Sequence, residues 1–164
     1  MPTTYELIDQ KETTGNVSSV VFSSIPSTYT DLVVKCYYKY QSGGGLFIAG
    51  QYNSDTAGNY GMEYLFTTGG SSSADSSSSD SYIRFGNGGS TIFSQAELYI
   101  NNYANTNINK VSISKCAAPS FYTITYCSTW RNTAAINRLE IFPDPSGIGF
   151  TSGCTFTLYG IKAA

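Results

Sequence analysis

Histidine is absent from this sequence of 164 residues, and charged residues make up only 12% of it. Without histidine there is no Ser–His or Cys–His nucleophile pair, no imidazole general base and no histidine metal ligand. The net charge is -2, and the nine Lys and Arg residues never cluster. Binding to nucleic acid or to an anionic membrane needs a basic patch. The composition therefore predicts a protein that is not an enzyme, carries no cofactor or metal, and binds neither nucleic acid nor a membrane.

Long apolar runs are also missing. No stretch of 18 consecutive apolar residues occurs, so we expect no membrane-spanning helix. The first residues, Met1 to Glu6, lack the basic start and apolar run of a signal peptide. We therefore expect synthesis and assembly in the cytoplasm.

The four cysteines, Cys36, Cys116, Cys127 and Cys154, are widely spaced, and no CxxC pair suggests a zinc or redox motif. Each lies in a segment with the pattern of a strand. Their spacing favours reduced thiols that are buried as small apolar side chains. One or two disulfides remain the alternative, and an all-cysteine metal site is the weakest hypothesis.

What the sequence has in excess is residues typical of strands and turns: 23 Ser, 18 Thr, 11 Asn, 16 Gly, 14 Tyr and 9 Phe. In residues 31–40, Leu32, Val34 and Cys36 alternate with Asp31 and Lys35, which is the pattern of a half-buried strand. About ten such segments occur, at 17–22, 31–40, 45–52, 60–66, 82–85, 91–101, 109–116, 121–130, 136–142 and 154–161. The pattern predicts an all-β chain folded as an antiparallel β-sandwich or barrel.

Residues 69–80 form a low-complexity, Ser-rich segment, which we interpret as a flexible loop. A linker between two domains is the alternative, but the piece before it is too small for a core of its own. We therefore predict one domain over residues 1–164. Its N-terminal arm, residues 1–15, is expected to begin with an edge strand.

Candidate chemistry is sparse. Glycoside hydrolysis needs two carboxylates about 5–9.5 Å apart, and the sequence offers only scattered ones, of which Glu63 and Glu97 are a possible pair. The loop from Asn53 to Asn59 is the nearest approach to a calcium site, but turn hydrogen bonds explain its Asn and Asp residues equally well. The sequence therefore predicts no catalytic residues and no metal ligands.

The high content of aromatic residues, 15% of the chain, still needs an explanation. Exposed Tyr and Trp side chains stack on sugars or form hot spots of protein interfaces, whereas in half-buried strands tyrosine commonly belongs to the core. In 121–130 the face with Trp130 has the pattern of core, and the face with Thr123, Thr125, Cys127 and Thr129 that of a mild contact surface. The candidate contacts with a partner or glycan are Tyr37, Tyr52, Tyr60, Trp130 and Arg131.

Four segments together carry a resemblance: Phe22 to Leu32 (FSSIPSTYTDL), Tyr99 to Tyr103 (YINNY), Trp130 to Ile136 (WRNTAAI) and Gly153 to Lys162 (GCTFTLYGIK). In this order they resemble a family of small virion proteins of tailed bacteriophages, particularly marine and cyanobacterial phages. The resemblance runs from about residue 17 to 162 and is specific at the two ends. Family members tend to have Pro at the position of Asn101 and Ser at that of Cys154.

The resemblance implies a jelly-roll-like structural protein on the exterior of the virion, without catalytic residues. On this basis we expect a capsid decoration or cement protein that forms a trimer and binds the major capsid protein. The alternative is a tail-fibre or receptor-binding module that recognises a host glycan. A cellular lectin or glycosidase-associated sandwich fits the composition but not the terminal segments.

Overall fold

Twelve strands make up the regular structure of the computed structural model, which describes residues 5–119 and 122–162. Within these residues there is no helix, and so none that could cross a membrane. The strands are β1 (Tyr5–Glu12), β2 (Val20–Ser23), β3 (Asp31–Tyr38), β4 (Gly44–Tyr52), β5 (Tyr60–Thr68), β6 (Ser71–Asp80), β7 (Ile83–Gly89), β8 (Ser94–Asn101), β9 (Lys110–Ala118), β10 (Tyr122–Trp130), β11 (Arg138–Asp144) and β12 (Thr155–Ile161).

The strands form two antiparallel sheets. One has eight strands in the order β1-β12-β3-β8-β9-β10-β5-β6, and the other has four in the order β2-β11-β4-β7. Strand β7 of the smaller sheet packs against β8, β9 and β10 of the larger one. The prediction of an all-β sandwich is confirmed, while its jelly-roll character stays a prediction.

The core lies between the sheets, where the predicted alternation places it. In β3, Leu32, Val34 and Cys36 are buried, and Lys35 points the other way and is exposed. In β12, Phe156 and Leu158 are buried in the same core. Burial of apolar area at about 25 cal/mol per Å² holds the two sheets together.

The Ser-rich segment is a strand, so the prediction of a flexible loop at 69–80 is wrong. Strand β6 pairs with β5 from Thr68 opposite Ser71 to Tyr60 opposite Asp80. Gly69 and Gly70, both with positive φ, form the two-residue turn of this hairpin. Main-chain hydrogen bonds to β5 create the strand, and they need no apolar side chain.

The predicted edge strand in the N-terminal arm is confirmed, because β1 pairs only with β12 at the end of the larger sheet. Residues 1–4 of that arm lie outside the described residues. So do Phe121, the predicted first residue of the strand now seen as β10, and residues 163–164 at the end of the predicted domain.

Candidate functional site

Three of the five candidate contact residues are in the core. Trp130 is 1% exposed, with its ring centroid 5.6 Å from that of Tyr52 and 6.2 Å from that of Tyr60, and both tyrosines are buried as well. Because no face of these rings meets solvent, the expectation that Tyr52, Tyr60 and Trp130 contact a glycan or partner is corrected. The alternative, that tyrosines in half-buried strands belong to the core, fits Tyr52 and Tyr60, and the core pattern of residues 121–130 fits Trp130.

The loop that was weighed as a calcium site instead fixes Trp130. The Asp55 Oδ2 atom accepts hydrogen bonds from Trp130 Nε1 at 2.7 Å and from Asn59 Nδ2 at 2.9 Å, and Asp55 Oδ1 accepts one from the Ala57 amide at 2.9 Å. The hydrogen bonds from Asn59 and Trp130 lower the pKa of Asp55. The carboxylate therefore satisfies a buried indole donor and the turn amides.

Replacing Asp55 with asparagine is expected to lower the free energy of unfolding by about 1 kcal/mol at neutral pH, because charge-assisted hydrogen bonds are about twice as strong as neutral ones. Since folding lowers the Asp55 pKa, its contribution is present above the ordinary pKa of about 4 and is lost as the pH falls through the lower folded value. Urea unfolding at neutral and acid pH should show a gap between wild type and variant that closes in acid. Asp9→Asn, at an exposed ion pair with Lys11, is the control and should change little. A gap that stays constant with pH would contradict the role of the charge.

The other two candidates are at the surface. Tyr37 is 49% exposed and stacks on Phe93 with ring centroids 4.6 Å apart. Arg131 is exposed and donates from Nη2 to the carbonyl oxygens of Gly58 and Tyr60, at 2.7 and 3.2 Å. A contact role for these two side chains stays a prediction.

Within residues 5–119 and 122–162 nothing covers the outer side of the eight-stranded sheet, since the four-stranded sheet packs on the other side. One row crosses all eight strands in register: Gln10, Thr157, Lys35, Glu97, Lys115, Thr125, Leu65 and Ala74. We call this outward surface of the larger sheet the open face. Its residues are mostly small, hydroxyl-bearing or apolar, with Leu65 exposed by 65% and Ile113 by 51%.

Charge at the centre of the open face is balanced. The Glu97 carboxylate lies 3.6 Å from Lys35 Nζ and 3.3 Å from Lys115 Nζ. Nearby, Tyr99 donates a 2.7 Å hydrogen bond to Asp31, and this bond together with partial burial raises the Tyr99 pKa to about 12. These groups neutralise one another, so the face presents polarity without a strong field of either sign.

The open face is shallow. A depression of about 500 Å³ lies over β10, β5 and β6, and its lining includes Glu63, Leu65, Thr125 and Cys127. Glu63 and Glu97 both belong to this face, but strands β10 and β9 separate them. At about 4.8 Å per strand they are on the order of 14 Å apart, too far for a glycosidase pair.

All four cysteines are free. Cys36, Cys116 and Cys154 are buried, as the sequence favours, and burial raises the pKa of the Cys36 and Cys116 thiols. Cys127 is exposed on the open face. No group of three potential metal-ligating side chains from His, Cys, Asp and Glu occurs within residues 5–119 and 122–162.

A second surface was missed at the level of sequence. On the inner side of the larger sheet, where the smaller sheet ends, the half-buried rings of Tyr64, Phe66 and Tyr122, with Phe47 of β4, pack against the buried cluster of Met62, Ile124 and Tyr126. We call these four rings the aromatic patch. The Arg84 guanidinium lies 4.5 Å above the Phe47 ring and 2.7 Å from the Asp144 carboxylate. Alternation in residues 60–66 signals that Tyr64 and Phe66 share the core side, but not that the covering sheet stops short of them.

Comparisons with known proteins give only distant structural neighbours. No family model matches the sequence, and no curated protein matches it. A variant of the alginate lyase Aly36B in complex with alginate tetrasaccharide has 10% sequence identity and a TM-score of 0.37, covering 90% of this chain and 72% of that one. A marine PL-14 alginate lyase from Aplysia kurodai has 10% identity and a TM-score of 0.34, covering 85% and 72%.

These neighbours are enzymes, and they contradict the expectation that the chain is not an enzyme. We correct that expectation. Its physical weakness is that Lys, Tyr and carboxylate side chains also transfer protons, so a missing histidine does not exclude catalysis. With identities of 10% and TM-scores this low, the likeness assigns no substrate and no catalytic residue to this chain.

Proposed function

We propose that this chain is a structural protein of a bacteriophage particle, carried on the exterior of the head, and that it binds its protein neighbours through the open face. The phage assignment rests on the resemblance of the four sequence segments. The docking surface rests on one structural observation: an eight-stranded sheet is covered on one side and bare on the other.

The size of the open face suits a stable protein interface. Eight strands at about 4.8 Å spacing and about eight residues of 3.3 Å each give on the order of 1,000 Å². A standard interface buries about 800 Å² on each partner. A decoration protein that buries such an area across capsid subunits stabilises the head, because the subunits cannot separate until those contacts break.

The chemistry of the face also suits docking after folding. Hydroxyl groups of Thr123, Thr125 and Thr157 tolerate water in the free protein and form hydrogen bonds in a complex. Lys35 and Lys115 together with Glu97 and Asp31 carry no net charge that would repel another copy or a capsid surface.

The test compares two arginine substitutions in the phage that encodes the chain. Thr125→Arg places a bulky cation at the centre of the open face, and Asn137→Arg places the same side chain on an exposed loop away from it. We expect the first to reduce the number of copies per purified particle at least about tenfold and the second to leave it unchanged. Equal copy numbers for both variants would overturn the proposed docking surface, and no copies of the wild-type chain would overturn the particle assignment.

A second function, a tail-associated module that binds a host glycan, is favoured by one observation. The aromatic patch presents half-buried rings beside the Arg84–Asp144 ion pair, a combination suited to stacking on a sugar and bonding its hydroxyls. If this is the function, Phe66→Ala reduces adsorption of the phage to its host, while Tyr5→Ala, at an exposed ring on β1, does not.

A further inference from the structure

The two sheets have four edges in the part of the chain that is described, and three of them are closed. Strand β2 has only four residues. Strand β7 directs two amides to the larger sheet, with Arg84 N donating to Met62 Sδ and Asn87 N to Cys116 Sγ. Short edges and covered edges do not pair with other chains.

Strand β1, the third closed edge, has two features that usually prevent an edge strand from pairing with another chain. Its register shifts between Leu7 and Asp9, which breaks the flat ladder. It also bears charged residues along its length, among them Lys11, which pairs with Asp9 at 2.8 Å. Irregular and charged edges resist strand addition.

Strand β6 is the exception. It is ten residues long, contains no proline, lysine or arginine, and consists of seven serines, one alanine and two aspartates. Nearly all of its side chains are exposed, and it pairs only with β5. The register of β6 with β5 shifts at Ser79, which has a positive φ, whereas residues 71–78 pair without interruption. This regular part, with its small side chains, presents outward-facing backbone groups and no steric obstacle to another strand.

The hairpin turn settles which backbone groups are free. In a two-residue hairpin the flanking residues, Thr68 and Ser71, form a hydrogen-bonded pair, so bonding to β5 alternates from there. The even-numbered residues from 72 to 78 therefore direct their amides and carbonyls away from β5. The Ser76 amide agrees with this direction, because it donates to Asp75 Oδ1 at 2.8 Å and not to β5. Pairing with another strand would replace this bond by one to a backbone carbonyl.

We propose that β6 pairs antiparallel with β6 of a second copy of this chain, around a two-fold axis at Ser76. An axis perpendicular to the sheet leaves each side chain on its own face, so a residue pairs either with its own copy or with one an even number of positions away. Centring on Asp75 would set two carboxylates directly opposite each other, which is unfavourable. Centring on Ser76 sets Asp75 opposite Ser77 and Ala74 opposite Ser78, all within the regular part of β6.

The pairing makes one sheet of sixteen strands and continues the open face across both copies. It goes beyond the proposed function, since it concerns a strand edge and needs no particle. It also gives a dimer, where the sequence resemblance implies a trimer. Symmetry decides between them, because two identical antiparallel edges close on each other and leave none for a third copy.

Proline substitution separates this edge contact from any other. Ser76→Pro removes an amide that β5 does not use, so the fold should persist while the pairing is lost. We expect sedimentation equilibrium to give twice the 17.7 kDa chain mass for wild type and the single mass for Ser76→Pro. Ser77→Pro removes an amide bonded to β5 and serves as the control that loses stability. A wild-type monomer or trimer, or a Ser76→Pro dimer, would overturn the proposal.

Cysteine cross-linking tests the register in a Cys127→Ser background, which lacks the exposed thiol. At the two-fold axis the paired Cα atoms are about 5.5 Å apart, within disulfide range, so Ser76→Cys should form covalent dimers under mild oxidation. Ser72→Cys is equally exposed on the same strand, but its two copies would be roughly 27 Å apart. We expect the first variant to cross-link at least about tenfold faster. Equal rates would rule out pairing centred on Ser76.

Discussion

Replacing Trp130 with alanine is expected to lower the free energy of unfolding by about 3–5 kcal/mol, the range for removing a large buried aromatic side chain. The indole is 1% exposed and packs on the rings of Tyr52 and Tyr60. Its loss would leave a cavity between these tyrosines and would also deprive Asp55 of a hydrogen-bond donor at 2.7 Å. Both effects lower the stability of the fold, and neither changes a binding surface.

Urea denaturation at neutral pH measures this change, with Tyr37→Ala as the control. Tyr37 is an aromatic residue of the larger sheet with about half of its surface exposed, so its loss should cost less than about 1 kcal/mol. If the two substitutions have similar effects, Trp130 is not part of the core, and its earlier interpretation as a surface contact would return.

Replacing Gly160 with valine is expected to destabilise the protein by about 3 kcal/mol, the upper end of the usual range for overpacking. Gly160 lies in β12 between Glu6 of β1 and Leu32 of β3, and the ring of Tyr29 covers it. A Cβ atom at this position would overlap the base of that ring, which cannot move aside as a flexible chain end does. The ring occupies the space that the glycine leaves in the sheet.

A double-mutant cycle isolates this contact. In a Tyr29→Ala background, Gly160→Val should cost much less, since the overlapping ring is gone. Thr157→Val in the same strand controls for the change in strand propensity. An unchanged cost for Gly160→Val in the absence of Tyr29 would show that backbone effects, and not the ring, make glycine necessary there.

Alternation explains most of what could be predicted of the fold. In β3 and β12 apolar side chains at every second position leave one possible buried face, and a shift of one residue would turn Leu32 and Phe156 to solvent. All ten predicted segments overlap strands. Strand β6 has no such signal, because serine at almost every position gives both faces the same polarity. The Gly69–Gly70 pair between two segments of similar length was the available clue.

The candidate site was harder to predict, because exposure depends on how far the second sheet extends. Trp130 and Tyr64 both lie on strands with aromatic residues at alternate positions, yet one is fully covered and the other only in part. Sequence alternation identifies the side of a strand but not the length of the sheet above it. Of the contact surface predicted for Thr123, Thr125, Cys127 and Thr129, the first three side chains are exposed and Thr129 is partly buried. That prediction largely held because it needed only the side of the strand on which these residues lie.

The central claim is that the open face of the larger sheet binds protein neighbours on a phage particle. A reconstruction of the intact particle at a resolution that shows strands tests it most directly. The account predicts this sandwich in many copies on the head exterior, with Lys35, Thr125 and Leu65 against a capsid subunit. Density for the chain with those residues facing solvent, or no density for it on the head, would contradict the claim.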